Sequence, residues 1–320
     1  MRILGIETTG PFCSAAILDG DDIEERLSEE KLNHLTALTP MIEELLACGG
    51  FRLADMDAIA VSAGPGSFTG IRIGVSTGRG LNQVSGVPLI SVPTLFAFGC
   101  SEYEGNKMGT VCPLLNARRG QVYAGAYNDF CEIVPGGPYM LDEFLEKTFA
   151  AVSELKAAAG SGSTAGFDTA SAGFDAASAG AAGNEEGNDP GQLLFVGDGV
   201  DAYSDMIKEI CMRNGYLPSD DGSGDGGKER AAGTFVLKSK YQDAAGVCEM
   251  AADMIADPDT FGERLGLSYN ELKPEYMRMT EAEQRLRDGT LGKGIAGKSN
   301  GMQDGRKGRG PKGESRKGSK

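Results

Sequence analysis

Apolar positions alternate with small or polar ones over residues 2–9 (RILGIETT) and again over 13–19 (CSAAILD), with a short Gly-Pro turn between the two runs. That period of two predicts an N-terminal β-hairpin. From 33 to 48 the period lengthens: Leu35, Leu38, Ile42, Leu45 and Leu46 recur at helical spacing, and Gly49 and Gly50 end the pattern. Pro40 lies inside this stretch and either kinks the helix or marks its true first turn. A strand over 57–63 (DAIAVSA), a GPGSFTG loop, a helix over 69–85 and a strand over 87–92 (VPLISV) follow. Such alternation predicts a mixed α/β sheet.

Near residue 110 the pattern starts again. TVCPLLN, a tight ARRG turn and QVYAGAYN predict a second hairpin, and an apolar strand over 193–196 runs through GDG into a helix over 200–214. Tyr203, Met206, Ile207 and Ile210 form the inner face expected of that helix, and a last helical segment spans 241–256. The simplest reading is an α/β protein of two similar halves, with mixed sheets and flanking helices, over 1–109 and 110–285. Two flexible insertions interrupt the second half. The first, 157–192, repeats GFDTASA as GFDAASA, and one Phe per seven residues cannot supply the two apolar seam positions of a coiled coil. The second, 219–233, is rich in Gly and Asp, and the Gly/Lys-rich end over 286–320 reads as a disordered basic tail.

Composition narrows the function. Apolar residues make up 40% of the 320 and charged residues 24%, and no apolar run reaches the length of a membrane span. Gly5 and Glu7 interrupt the N-terminus too early for the apolar core of a secretory signal, so a cytoplasmic location without membrane attachment is expected. The seven cysteines are scattered and never spaced as CxxC, which predicts neither a disulfide framework nor a zinc knuckle. The net charge of −15 is uneven, because nine Lys or Arg between 293 and 320 face only Asp304 and Glu314. An acidic body does not bind nucleic acid over its whole surface. The tail is either an RNA-binding segment that neutralises phosphates without reading sequence or a solvated end.

Residues 62–74, SAGPGSFTGIRIG, carry the strongest local signal. A Walker phosphate loop needs a lysine, and none occurs between Lys31 and Lys107, which excludes that site. Gly64, Gly66, Ser67 and Thr69 remain a candidate anion-binding turn at a helix start, the alternative being a turn that needs only glycine dihedrals. GVSTG at 74–78 matches a nucleophile elbow, yet Ser76 falls inside a helix already begun. His34 is the sole histidine and reads as a capping or packing residue. Every two-histidine metal site is thereby removed. Glu7 and Asp198 each adjoin a small-residue turn and are candidates to face one another across a cleft between the halves.

Gly70, Gly74 and Gly78 recur every four residues on one helix face, a groove that lets another backbone approach. Each costs about 1 kcal/mol relative to alanine in a helix interior. Close packing offsets that cost, against this chain or against a partner. Arg72, Arg79, Ile71, Ile73 and Val75 occupy the other sides.

ILGIETTG, AVSAGPGSFTGIRIGVSTGRGL and VPLISVPTL together resemble the bacterial TsaB (YeaZ-like) family. The likeness covers about 1–128 and extends loosely over 193–285 through FVGDG and LKPEYMRMTEAE; the insertions and the tail lie outside it. It implies two tandem halves of the kind shared by actin, Hsp70 and sugar kinases. It also implies a non-catalytic paralogue of the TsaD ligase subunit, acting in threonylcarbamoyladenosine (t6A) formation at adenosine 37 of tRNA. TsaD-like chains read GPGLxGxLxVG at the loop and carry an HxxxH metal pair after it, where this chain has Thr94 and Phe98. By the same resemblance the partner interface with TsaD uses Leu35, Leu38, Ile42 and Leu45 of the first helix and Gly70, Arg72, Gly74 and Gly78 of the second. No cofactor is then expected in this chain, with ATP and metal on partner subunits, a TsaE-like ATPase among them. Whether the chain pairs with itself when alone stays open, as does tRNA contact, indirect or through the tail. The competing class is a small-molecule kinase or ATPase of the same superfold, with Glu7 or Asp198 handling Mg²⁺.

Overall fold

A computed structural model describes residues 1–106, 109–128, 131–161, 189–219 and 232–277. The basic tail and most of both insertions lie outside the described residues. The first sheet collects β1 (Arg2–Glu7), β2 (Ser14–Asp19) and β3 (Asp22–Leu27); after α1 (His34–Gly49) come β4 (Ala58–Gly64), α2 (Phe68–Ser85) and β5 (Leu89–Pro93). Its order is β3-β2-β1-β4-β5, antiparallel across the first three strands and parallel across the rest. Helix α3 (Thr94–Asn106) leads into β6 (Thr110–Asn116), β7 (Gln121–Asn128), β8 (Cys131–Met140) and α4 (Leu141–Ser161). Then come β9 (Gln192–Val196), α5 (Asp198–Arg213), β10 (Tyr216–Pro218), β11 (Gly233–Lys238), α6 (Ala244–Ala256) and α7 (Pro258–Phe261). The second sheet, β10-β11-β9-β6-β7-β8, repeats the first one's plan: a three-stranded antiparallel meander beside parallel strands.

Three apolar cores account for the layering. Leu38, Ile42 and Leu45 of α1 and Ile71 and Val75 of α2 pack on one face of the first sheet. On its other face Ile3, Ala16 and Ala60 meet α3 and α6, which also receive Val111, Leu115 and Leu194 of the second sheet. Helices α4 and α5 cover the remaining face with Phe144, Leu145, Ile207 and Ile210. Helix α6, late in sequence, thus packs on the first strands, and each strand buried on both faces reads as a nearly continuous apolar run.

The expected hairpins, α1, α2 and α6 form close to their predicted bounds, and α1 continues through Pro40. Other elements were not foreseen. Strand β3 (DIEERL) is a charged sheet edge, a pattern that blunts edge pairing and carries little apolar signal. Strand β8 hides behind Pro and Gly and pairs through register shifts. Helix α4 runs to Ser161, so the first residues of the expected 157–192 insertion are helical. Met206, expected on the inner face of α5, is 40% exposed. Ile207 and Ile210 face inward as expected, together with Val200 and Cys211, and Tyr203, whose backbone leaves helical geometry (φ −132°, ψ 18°), packs half-buried against the same core.

Candidate functional site

Where the two halves meet at their hairpin turns they leave an open cleft of about 480 Å³. Its walls are Thr9 and Gly10 from the β1–β2 turn, Gly66, Ser67 and Thr69 at the start of α2, Asn116 and Arg118 from the β6–β7 turn, and Asp198 and Gln242. The loop is tied to the turn, for Ser67 N–H donates to the Thr9 carbonyl at 2.7 Å. Ser67 then caps α2, its hydroxyl accepting from Gly70 N–H at 3.3 Å. Of the candidate anion-binding turn, Gly66, Ser67 and Thr69 reach the cleft. Gly64 does not: at φ +127° it faces the Glu275 backbone, whose N–H donates to the Ala63 carbonyl at 2.8 Å.

The two candidate carboxylates do not form a facing pair. Asp198 lines the cleft and accepts from Asn116 N–H at 2.8 Å; burial raises its pKa, with Asp201 adding and the Asn116 amide opposing. Glu7 is 1% exposed and sits behind Thr9, whose N–H and Oγ1 both donate to Glu7 Oε1, the hydroxyl at 2.6 Å. Burial pushes this carboxyl up to about 7, opposed by the neighbouring Ser62 hydroxyl and by the Thr9 hydroxyl and amide, and Asp243 adds to the rise. The separation has a simple cause: the strand end carrying Glu7 is covered by α6, and only the turn after it reaches the opening.

His34 is buried with Nε2 3.0 Å from the Gly10 carbonyl, and burial lowers its pKa, so the neutral ring donates and pins the turn. Ser76 lies on the exposed side of α2, in mid-helix, away from any strand-to-helix turn. Thr94 Oγ1 accepts from Gly64 N–H at 3.2 Å and shares a 2.6 Å hydrogen bond with Ser62 Oγ, while Phe98 fills the central core. Among the described residues no group of three His, Cys, Asp or Glu is placed to hold a metal ion.

The residues expected at a partner interface divide sharply. Leu38, Ile42 and Leu45 are buried against the first sheet, and Gly70, Gly74 and Gly78 face their own strands. A Cβ on Gly70 would collide with the Thr8 carbonyl oxygen, on Gly74 with Thr8 Oγ1 and on Gly78 with Val61 Cγ2. Thr8 Oγ1 also donates to the Gly70 carbonyl at 2.8 Å. The glycine groove is therefore occupied by this chain, and those six residues are corrected from docking surface to core. Leu35 (78% exposed) and Arg72 do face outward. Val84, near the end of α2, is 88% exposed as well, and the glycine spacing did not single it out.

A C-terminal strap, also unforeseen, braces the other flank of α2. Leu267 pairs with Leu89, Leu272 is fully buried and its carbonyl accepts from Arg79 Nε at 2.9 Å, and Arg264 pairs with Glu275 at 2.5 Å. Tyr276 stacks on Phe68 and its hydroxyl accepts from Arg72 Nε at 2.8 Å. Isolated apolar residues such as Leu267 and Leu272 carry no periodic signal, which is why the strap escaped a pattern reading.

A family profile described as "TsaD: tRNA N6-adenosine threonylcarbamoyltransferase" matches residues 28–219. The chain is 34% identical over 127 residues to the Escherichia coli tRNA threonylcarbamoyladenosine biosynthesis protein TsaB, covering 40% of this chain and 55% of that one. It is 34% identical over 151 residues to the Bacillus subtilis protein of the same name, covering 46% and 65%. The chain thus spans between about half and two thirds of the length of these curated relatives. Among solved structures, YeaZ from Pseudomonas aeruginosa aligns with a TM-score of 0.55 at 20% identity, covering 86% of this chain and 99% of that one. An uncharacterized Pseudomonas aeruginosa protein with similarity to peptidase YEAZ gives 0.56 at 20%, covering 87% and 99%. At that identity the likeness shows the fold.

Proposed function

Because the chain belongs to the family of TsaD and its TsaB (YeaZ-like) paralogues, we propose that it is a non-catalytic subunit of t6A synthesis that docks on a TsaD-like ligase. One observation carries the reading. At the positions where ligase-like chains place two metal-binding imidazoles, this chain has Thr94, whose hydroxyl ties Ser62 to Gly64, and Phe98, packed in the core. Neither side chain can serve as such a ligand. ATP and metal then reside on the partner subunits, the TsaD-like ligase and a TsaE-like ATPase, and this chain works in the cytoplasm without a cofactor. Among the described residues no helix is long and apolar enough to cross a membrane.

Docking falls to the outer side of the paired helices α1 and α2, where Leu35 and Val84 stand exposed. Exposed apolar side chains flanked by polar ones suit a helix-on-helix contact. The same surface is available for self-pairing when the ligase is absent, and tRNA meets the chain through the assembly or the basic tail. Reconstitution tests the proposal: the full chain, a TsaD-like ligase, a TsaE-like ATPase, the threonylcarbamoyl adenylate and tRNA are mixed, and t6A is measured with each protein omitted in turn. Loss of product without this chain, and none from this chain alone, is expected. Turnover by the isolated chain, or full activity in its absence, overturns the reading. Calorimetry with Mg²⁺-ATP separates it from a kinase or ATPase using Asp198.

A further inference from the structure

Behind the cleft wall lies a second, enclosed cavity of about 10 Å³, room for a single water-sized sphere. Glu7, Asp243, Gln242, Thr94 and Ser101 contribute its polar lining, and Ala97, Phe98, Gly246 and Val247 the rest. Two of these side chains, 1% and 4% exposed, each present a buried oxygen that has no hydrogen-bond partner: Glu7 Oε2 and Gln242 Oε1. Leaving such an atom unpaired forfeits its hydration, so two on one small cavity call for an occupant.

The remaining polar atoms fix what that occupant is. Gln242 Nε2 donates to Thr9 Oγ1 at 3.1 Å, and Thr9 Oγ1 donates to Glu7 Oε1 at 2.6 Å. The Gln242 Nε2 and Thr9 Oγ1 donors are thus engaged, which leaves Gln242 Oε1 and Glu7 Oε2 without a partner. An anion or another acceptor is repelled there. Among the described residues no group of three His, Cys, Asp or Glu could hold a metal ion, here or elsewhere. We propose that the cavity is a binding site for one water molecule, hydrogen-bonded to Glu7 Oε2 and donating to Gln242 Oε1. The result is a closed ring: Thr9 to Glu7, Glu7 with the water, the water to Gln242, Gln242 to Thr9. Thr9 and Gln242 also line the large cleft. The water therefore positions two residues of the cleft wall without reaching the cleft itself.

Two measurements on the full chain test this. A high-resolution crystal structure is expected to place one spherical density within hydrogen-bonding distance of both oxygens. An empty cavity overturns the proposal, as does a Gln242 amide turned to donate directly to Glu7, or a Ser62 hydroxyl bonded to Oε2. An anomalous peak there after a thallium(I) soak identifies a cation and overturns it equally. In solution, magnetisation transfer from water to the Ala97 and Val247 methyl groups is expected in the wild-type chain. It is lost in Gln242→Met, with both methyl signals retained. No transfer in the wild-type chain, or undiminished transfer in the variant, rejects the ring.

Discussion

The two sides of α2 make opposite uses of small and apolar residues. Inward, Gly70, Gly74 and Gly78 let the helix settle onto Thr8 and Val61 until no room for a methyl group remains. Outward, Val84 stands in solvent, and Leu35 of α1 is exposed too. A four-residue glycine spacing reports a close backbone approach; it does not say whose backbone approaches. Here the answer is the chain's own Thr8, just past β1, with Val61 of β4, and the exposed side of α2 is the one the glycines do not occupy.

The sharpest way to break that contrast is Gly70→Leu. The added side chain meets the Thr8 carbonyl, a backbone atom that cannot rotate aside. Overpacking of this kind is expected to cost about 4 kcal/mol, read as a lowered urea midpoint. A stable Gly70→Leu protein would mean that the inner face is looser than described. For the same reason a bulky residue at Gly74 tests folding rather than docking.

Beneath the inner face, Thr8 is flanked by Glu7, which allows a test by pH. In the folded chain the Glu7 carboxyl is raised from 4.5 to about 7 by burial. The folded form binds this proton more tightly than the unfolded one. Its stabilising contribution is complete below about pH 4.5 and is lost as pH rises through about 7. The interval corresponds to about 3 kcal/mol. Glu25, Glu132 and Asp198 are raised by burial too, so the wild-type curve alone does not isolate Glu7. The difference between wild type and Glu7→Gln in denaturation at pH 5 and pH 8 does: the variant should lose that part of the slope. Parallel curves for the two proteins would place Glu7 in contact with solvent.

How much of this was legible beforehand depended on periodicity. Residues 2–19 and 33–92 alternate or repeat at the spacing their burial requires, so strands and helices could be placed from pattern alone. Thr94 and Phe98 were also legible as departures from a motif, although what they do, bonding Ser62 and filling the core, was not. The misplacements share one physical origin, contacts between residues far apart in sequence. Leu38, Ile42 and Leu45 show the same stripe whether they face a sheet or a partner, and Glu7 and Asp198 adjoin similar turns with unlike burial. The strap over 264–277 has no period at all, yet it carries Leu272 into the core.

That strap offers a smaller test, on the flank between the two sides. Arg72 Cζ lies 4.0 Å from the Phe68 ring centroid, and Tyr276 stacks on the same ring at 4.7 Å. Tyr276→Ala should cost about 1 kcal/mol from the stacked pair and the hydrogen bond to Arg72. Proteolysis near residue 276 should quicken as the strap loosens. Unchanged stability and cleavage would show that Leu272 and the Arg264–Glu275 pair hold the strap unaided.

The outer side calls for the smallest change in stability and the most specific change in behaviour. Leu35→Glu and Val84→Glu place a charge where water already reaches, so each should alter the unfolding free energy by no more than about 0.5 kcal/mol. If α1 and α2 dock on a TsaD-like ligase by that side, the same substitutions bury an unpaired carboxylate in the complex. Association should then weaken by about tenfold or more, since exposed apolar anchors carry much of an interface's energy. Measuring both quantities on one variant separates folding from docking, which no substitution on the glycine side can do. A Leu35→Glu, Val84→Glu double variant that binds the ligase as tightly as the parent would move the interface off these helices. The inner face would keep its account unchanged, because nothing in it depends on a partner.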